Sequence, residues 1–209
     1  MAIPANPTQQ ELDAVNTILN SIGQASVSAL EATNPDVTIA YDTLIIVSRE
    51  VQAEGWTINT EELVKITPDV NDEIVISAIT GNVLQIDLSR DVVANMGKDV
   101  IIKNGKLYDR IEKSYTWTAD EVYVDIVYLY NFSDLPIQYR DYITARAAAI
   151  VSSRIVGDQN QYQVLKIKET ECRALVIEYD CNQGDYTFTG RPYGNDYYRS
   201  FKPYHALSR

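Results

Sequence analysis

The sequence is poor in the residues that most often carry chemistry. It holds one histidine and two cysteines in 209 residues. The histidine, His205, stands near the C-terminus, so a Ser-His-Asp or Cys-His arrangement would need that end to fold back into a pocket. The usual zinc sites need four Cys/His ligands, or three and a water, which this chain lacks. Cys172 and Cys181 fall in one predicted helix, separated by about 13 Å of rise, whereas a disulfide needs Cα atoms within about 7 Å. No disulfide framework is expected, and a reducing compartment fits. No glycine-rich phosphate loop occurs, and no P-loop lysine. No catalytic residue, cofactor site or metal site is therefore expected.

Long apolar runs are also missing. The most apolar stretch, residues 145–156, is interrupted by Arg146 and Arg154, so no membrane span is expected. The opening residues have neither the basic nor the apolar segment of a signal peptide, and the sequon Asn131-Phe132-Ser133 is read as vacant. Positive charge is scarce: 18 Lys and Arg stand against 29 Asp and Glu, a net charge of −11. That argues against a general grip on nucleic acid or on an anionic membrane. Adjacent acids occur at Glu61-Glu62 and Asp72-Glu73, but neighbouring strand residues point to opposite faces and do not converge as an acid/base pair.

What is present is patterned for folding, with 45% hydrophobic and 22% charged residues, an ordinary globular composition. Thr8 and Glu11 form a capping box ahead of a stripe Leu12, Val15, Leu19, Ile22, with Gly23 as terminator. Asn34 and Pro35 open a second helix whose stripe is Val37, Ala40, Tyr41, Leu44, Val47 and Val51. Ile39, Ile45 and Ile46 widen its apolar surface, which predicts cover on two sides. Period-two alternation follows in residues 56–60, 73–79, 83–88, 100–102 and 122–130, with Asn104-Gly105 as a hairpin turn. Helix returns after Pro136 with Tyr139, Ile143, Ala147, Ile150 and Val151. Asp158 and Gln161 read as a second capping box before a last helix carrying Tyr162, Leu165, Cys172, Leu175, Val176 and Tyr179.

The predicted fold class is α+β. Residues 8–55 and 134–183 form a helical bundle, two helices from each end. Residues 56–131 form an inserted small antiparallel sheet or barrel. Residues 184–209 form an extended tail of different character. From 186 onward it has seven aromatics, Arg191, Arg199, Lys202 and Arg209 against Asp196 alone, and Gly/Pro spacing that forbids a continuous helix. Tyr and Arg are the residues interfaces favour, so Tyr193, Tyr197, Tyr198, Arg199, Phe201 and Tyr204 are the candidate partner-binding residues. The first hundred residues carry 15 acids and 4 bases, the whole of the net charge.

Several stretches carry a family resemblance in collinear order. They are Glu11-Leu12-Asp13-Ala14-Val15-Asn16, residues 18–23, residues 27–31, Gly55-Trp56-Thr57-Ile58-Asn59, Leu107-Tyr108-Asp109-Arg110, residues 135–143, residues 149–154, and Glu171-Cys172-Arg173-Ala174. Over residues 8–185 the chain resembles the tail tubular protein A family, the head-to-tail adaptors of short-tailed bacteriophages. The residues beyond 184 match least. The resemblance implies a virion protein of the tail, assembled in the host cytoplasm as a dodecameric homo-oligomeric ring. Its implied neighbours are the portal protein, a tail nozzle resembling tail tubular protein B, and tail fibres. DNA would pass through at ejection without specific binding, and no catalysis is required. An acidic first half suits such a duct, because each neutralised phosphate would add salt-dependent affinity. Glu61, Glu62, Asp69, Asp72 and Glu73 are the candidate channel-facing acids. The competing reading is a saccharide-binding or saccharide-cleaving tail component acting on the host envelope, with tyrosines for sugar stacking and two carboxylates for hydrolysis.

Overall fold

The computed structural model describes residues 7–31, 33–89, 92, 97–118 and 121–184. Helix α1 (Gln9–Ser21) starts at the capping box. The Glu11 N–H donates to Thr8 Oγ1 at 3.3 Å, and the Thr8 N–H donates to Glu11 Oε2 at 2.7 Å. Helix α2 (Pro35–Gln52) is capped by Asn34, whose side chain accepts from the Asp36 N–H at 3.0 Å, with Pro35 in the first turn. Its inner stripe, Val37, Ala40, Tyr41, Leu44, Val47 and Val51, is buried as the periodicity requires. Of the three isoleucines expected to bring cover on a second side, Ile45 packs against the helical core, whereas among the described residues nothing covers Ile39, 39% exposed, or Ile46, 52% exposed. Extra isoleucines widen a helix's apolar arc, but they recruit no neighbour unless one is in reach.

Five strands follow: β1 (Thr60–Ile66), β2 (Val83–Leu88), β3 (Val100–Lys103), β4 (Lys106–Asp109) and β5 (Val122–Tyr128). They make an antiparallel three-stranded sheet in the order β1-β5-β2 and a separate β3-β4 hairpin. The hairpin turns on Asn104 and Gly105, both at positive φ (54° and 72°), the geometry a two-residue turn demands. Two stretches with period-two alternation are not strands. Residues 57–59 are a turn, held because the Asn59 side-chain oxygen accepts the Trp56 N–H at 3.0 Å and Gly55 takes φ 75°. Residues 73–79 give one bridge, Val75 to Lys106, and then a 3-10 turn at Ile76–Ala78, because Ile74 and Ile76 bond to the hairpin. Strand β1, beyond its first residue, lacks a clean alternation. Its register slips between Glu61 and Val64, placing Leu63 at φ 58°, as an extra residue in one strand of a pair requires.

Helix α3 (Ile137–Ile155) is the hub, packing against α1, α2 and α4 (Gln159–Gly184). Ala147, Ala148 and Ala149 are buried, and short side chains there let the backbones approach. The Asp158 carboxylate accepts the Asn160 N–H at 3.0 Å, but Gln161 does not reach back to complete a box; its amide donates to the Ser21 carbonyl and so ties α4 to α1. On α4, Cys172 and Val176 are buried as expected, whereas Leu175 is 57% exposed.

Two cores result. One joins the four helices with Trp56, Phe132 and Leu135. The other fills the strands around Trp117, whose indole N–H donates to the Leu107 carbonyl at 3.2 Å. A buried amide network links them. Gln52 donates to Ser48 Oγ and to the Tyr130 carbonyl, and accepts the Tyr130 N–H at 2.8 Å. Asn59 donates to the Gln52 and Tyr128 carbonyls, each at 2.8 Å. The fold is thus α+β: four helices with small antiparallel sheets between α2 and α3.

Candidate assembly surfaces

The acids singled out in residues 61–73 occupy β1 and the loop after it, and they divide by what they touch. Glu61 sits opposite Ile126 on β5, and Glu62 lies in the bulge; both are exposed. Asp72 is exposed at φ 58°. Asp69 and Glu73 have structural duties. Asp69 Oδ1 accepts the N–H groups of Asn71 at 2.8 Å and Glu73 at 2.9 Å. These backbone donors hold its carboxyl below the usual carboxylate range, since they favour the charged form. Glu73 is ion-paired with Lys106, whose ammonium is held above its ordinary value by that hydrogen bond. Glu61, Glu62 and Asp72 are the exposed members of the set, and Asp69 and Glu73 shape the loop between strand and hairpin.

The cleft beside this sheet, about 470 Å³, is lined by Thr60, Gln85, Asp87, Asp99 and Asp125. Its carboxylates are engaged. Asp125 Oδ1 accepts Ser89 Oγ at 2.6 Å and the Leu63 N–H at 2.9 Å, Asp87 accepts the Leu88 N–H at 2.8 Å, and Asp99 pairs with Arg110 at 3.1 Å. Such groups position backbone rather than offer a free acid and base to a substrate. Among the described residues no cluster of three or more His, Cys, Asp or Glu could hold a metal, and no helix is long and apolar enough to cross a membrane. Cys172 is buried and Cys181 exposed, both as free thiols. Burial pushes the Cys172 thiol up, away from thiolate character.

The helical side presents a different surface. One face of α4 packs on α3 and is fixed by polar contacts. Arg173 meets Glu54 at 3.0 Å and the Tyr142 hydroxyl at 2.7 Å, and Asp180 accepts the Tyr139 hydroxyl at 2.9 Å and the Thr57 N–H at 2.8 Å. Elsewhere on the same helix Val164, Ile167, Leu175 and Ile177 are between 45% and 66% exposed. A groove of about 640 Å³ runs between α1, α3 and α4, floored by Ala14, Phe132, Ala145 and Ala148. The expected stripe of α4 holds at Cys172 and Val176 and fails at Leu175; the outer stripe through Ile167 and Ile177 is not among the expectations. Its signal was available in the 4-3-4-3-4 spacing of residues 163, 167, 170, 174, 177 and 181. Tyr193, Tyr197, Tyr198, Arg199, Phe201 and Tyr204, like His205, lie outside the described residues.

A small α+β scaffold with exposed acids on one part and exposed apolar helix on another has the surface of a structural, assembly-forming protein. The comparison of sequences gives that class its family. A model of the tail tubular protein family matches residues 12–186, from α1 past the end of α4. The chain is similar to "Tail tubular protein A" of Klebsiella phage KP34, 24% identical over 170 residues covering 80% of this chain and 85% of that protein. The chain belongs to the tail tubular protein family, and its role is that of a structural component of a phage tail.

Proposed function

We propose that this protein is the adaptor ring of a short-tailed phage, joining the portal to the tail nozzle and forming part of the channel through which DNA leaves. The observation that carries the reading is the extent of the family match. Residues 12–186 include all five strands, α2, α3, α4 and all of α1 but its first three residues, so nearly the whole described scaffold is that of a tail tubular protein. Exposed apolar side chains on α2 and α4 support it, since faces left open in one subunit suit a protein that works in an assembly. The net charge of −11 also supports it, because a wall that does not neutralise phosphates lets DNA slide.

In this reading Glu61, Glu62, Asp69, Asp72 and Glu73 border the channel, and the segment beyond Gly184 runs along a neighbouring adaptor or portal subunit. Tyr193, Tyr197, Tyr198, Arg199, Phe201 and Tyr204 are its anchors, with individual losses of about 2 kcal/mol or more on truncation. The domain division is likewise a helical body of residues 8–55 and 134–183, an insertion of 56–131, and a partner-binding tail. Negative-stain images of the protein mixed with its portal protein test the reading, with a ring seated on a ring as the expected result. Truncation after Gly184 is expected to preserve the thermal transition and abolish attachment. Normal docking by the truncated protein would move the joint to the helical body, and an absence of rings on portal would overturn the adaptor reading.

A further inference from the structure

Helix α4 carries a second seam. Opposite the face that buries Glu169, Cys172 and Val176, the residues Gln163, Ile167, Thr170, Ala174, Ile177 and Cys181 recur at intervals of 4, 3, 4, 3 and 4. That is the a/d spacing of a heptad, the pattern by which one helix lies along another. It is sustained over about 27 Å of helix. All six residues are exposed, Ile167 at 62% and Ile177 at 45%, and no described element of the subunit covers them. Glu171, which pairs with Lys168 at 3.7 Å, and Glu178 flank the seam on one side. On the other, Arg173 and Asp180 are held within the subunit by Glu54, Tyr142, Tyr139 and Thr57.

The groove between α1, α3 and α4 is the matching half. Alanines in its floor leave room for a helix to approach, and its α4 wall is formed by Leu165, Lys168, Cys172 and Leu175. These lie about 160° around the helix axis from the seam. On the α3 wall stands Arg140, whose Nε is buried without a hydrogen-bond partner. A guanidinium N–H left in that state is costly, and a carboxylate from outside that meets the half-buried side chain would turn the guanidinium and complete it. Asp13 and Asp141 also line the groove; Asp13 already accepts from the Gln9 amide at 2.8 Å.

We propose that the α4 seam of one copy of this chain lies in the α1/α3/α4 groove of the next, with Glu171 or Glu178 of the seam's flank reaching Arg140. The proposal rests on the ring reading and names the contact that closes the ring. The occupant is a second copy for two reasons. The seam's acidic flank answers Arg140, whose Nε has no partner, and seam and groove take nearly opposite faces of α4. A contact between two different, opposed patches is heterologous and repeats around a ring. Seam against seam would be two-fold, would stop at a dimer, and would leave Arg140 without its carboxylate.

Sedimentation velocity on the purified full chain, from about 10 to about 500 µM, tests this. Ile167→Asp with Ile177→Asp spoils the seam, and Leu175→Asp spoils the groove wall; all three positions are exposed, so the fold should survive. Circular dichroism checks it, with Thr170→Lys and Ala145→Gln as replacements for a variant that does not fold. Wild-type protein is expected to self-associate in the upper part of the range, and each variant to associate at least about tenfold more weakly. An equal mixture of the two is expected to return a one-to-one heterodimer and nothing larger, since one intact seam meets one intact groove and the other pair is spoiled. Wild-type association by either variant, a mixture that stays monomeric, or a wild type monomeric throughout overturns the proposal. So does association that strengthens on truncation after Gly184, which would mean that the chain covers its own seam. Rings on portal in micrographs judge the adaptor reading separately. Rings that persist with the seam variant leave that reading standing and remove this contact.

Discussion

Asn59 is fully buried, and its side chain does three things at once. Its oxygen accepts the Trp56 N–H, while its two N–H groups reach the Gln52 and Tyr128 carbonyls. No other residue type offers that donor and acceptor set at that size. Asn59→Ala takes the side-chain partner from the Trp56 N–H and the Tyr128 carbonyl, each costing about 1–3 kcal/mol unless water enters, while the Gln52 carbonyl keeps the Gly55 N–H at 3.2 Å. We expect a loss of about 3 kcal/mol in urea unfolding, and a loss under about 1 kcal/mol would show that the network does not join the two cores. Tyr41 gives a pH-dependent counterpart. Burial, and then the Glu11 carboxylate that its hydroxyl meets at 3.3 Å, push its pKa up to about 12. The unfolded chain loses that proton near pH 10, before the folded one does. Tyr41 therefore stabilises the fold below about pH 10, and its contribution is lost as pH rises through about 12. In Tyr41→Phe, urea midpoints measured from about pH 8 to about pH 12 should fall less steeply above about pH 10 than in wild type.

Elements show what burial and capping decide. Helix α3 packs against the other three helices, and Ala147 is fully buried in the core they share, where a larger side chain has little room. Ala147→Leu should destabilise the protein by about 1–3 kcal/mol through overpacking. An unchanged denaturation midpoint would mean that the helices part there without cost. Helices α1 and α2 were legible in the sequence because caps and a one-sided stripe act within a few residues: Thr8 with Glu11, Asn34 with Pro35, and Val37 through Val51; α3 and α4 were legible from their stripes, since α3 has no side-chain cap and the box expected for α4 does not close. The Asn104-Gly105 hairpin was legible for the same reason. The strands were less so. Residues 57–59 alternate like a strand, but the Asn59 side chain, which accepts the Trp56 N–H and donates to the Tyr128 carbonyl, folds them into a turn. Residues 61–66 form a strand although a bulge breaks their alternation. The fate of Ile39, Ile46 and Leu175 was not legible either, since an apolar residue records a need for cover without naming its source. The candidate surfaces were half legible: the acids are visible as composition, but the bonds that occupy Asp69 and Glu73 are not.

At the scale of the whole molecule the open question is what the acids of β1 are for. Strand β1 is an edge of its sheet, with a bulge at Leu63. Glu61, Glu62, Lys65 and that bulge are devices that keep an edge from pairing with another chain. The proposed channel gives the same two glutamates a second duty, and the two accounts predict different behaviour. If Glu61 and Glu62 border the conduit, Glu61→Lys with Glu62→Lys replaces repelling charge by phosphate-binding charge in every subunit of the ring. Each phosphate contact steepens the salt dependence of DNA binding by about 0.9 in logarithmic slope, so the effect multiplies around the ring. Particles carrying this variant should eject DNA more slowly at about 50 mM salt and recover toward the wild-type rate by about 200 mM. Glu31→Lys with Glu112→Lys, an equal reversal at exposed acids outside the 61–73 stretch, should leave ejection unchanged. If both pairs slow ejection alike, net charge rather than position is responsible. If neither does, Glu61 and Glu62 guard a sheet edge, and the channel wall is built from other residues.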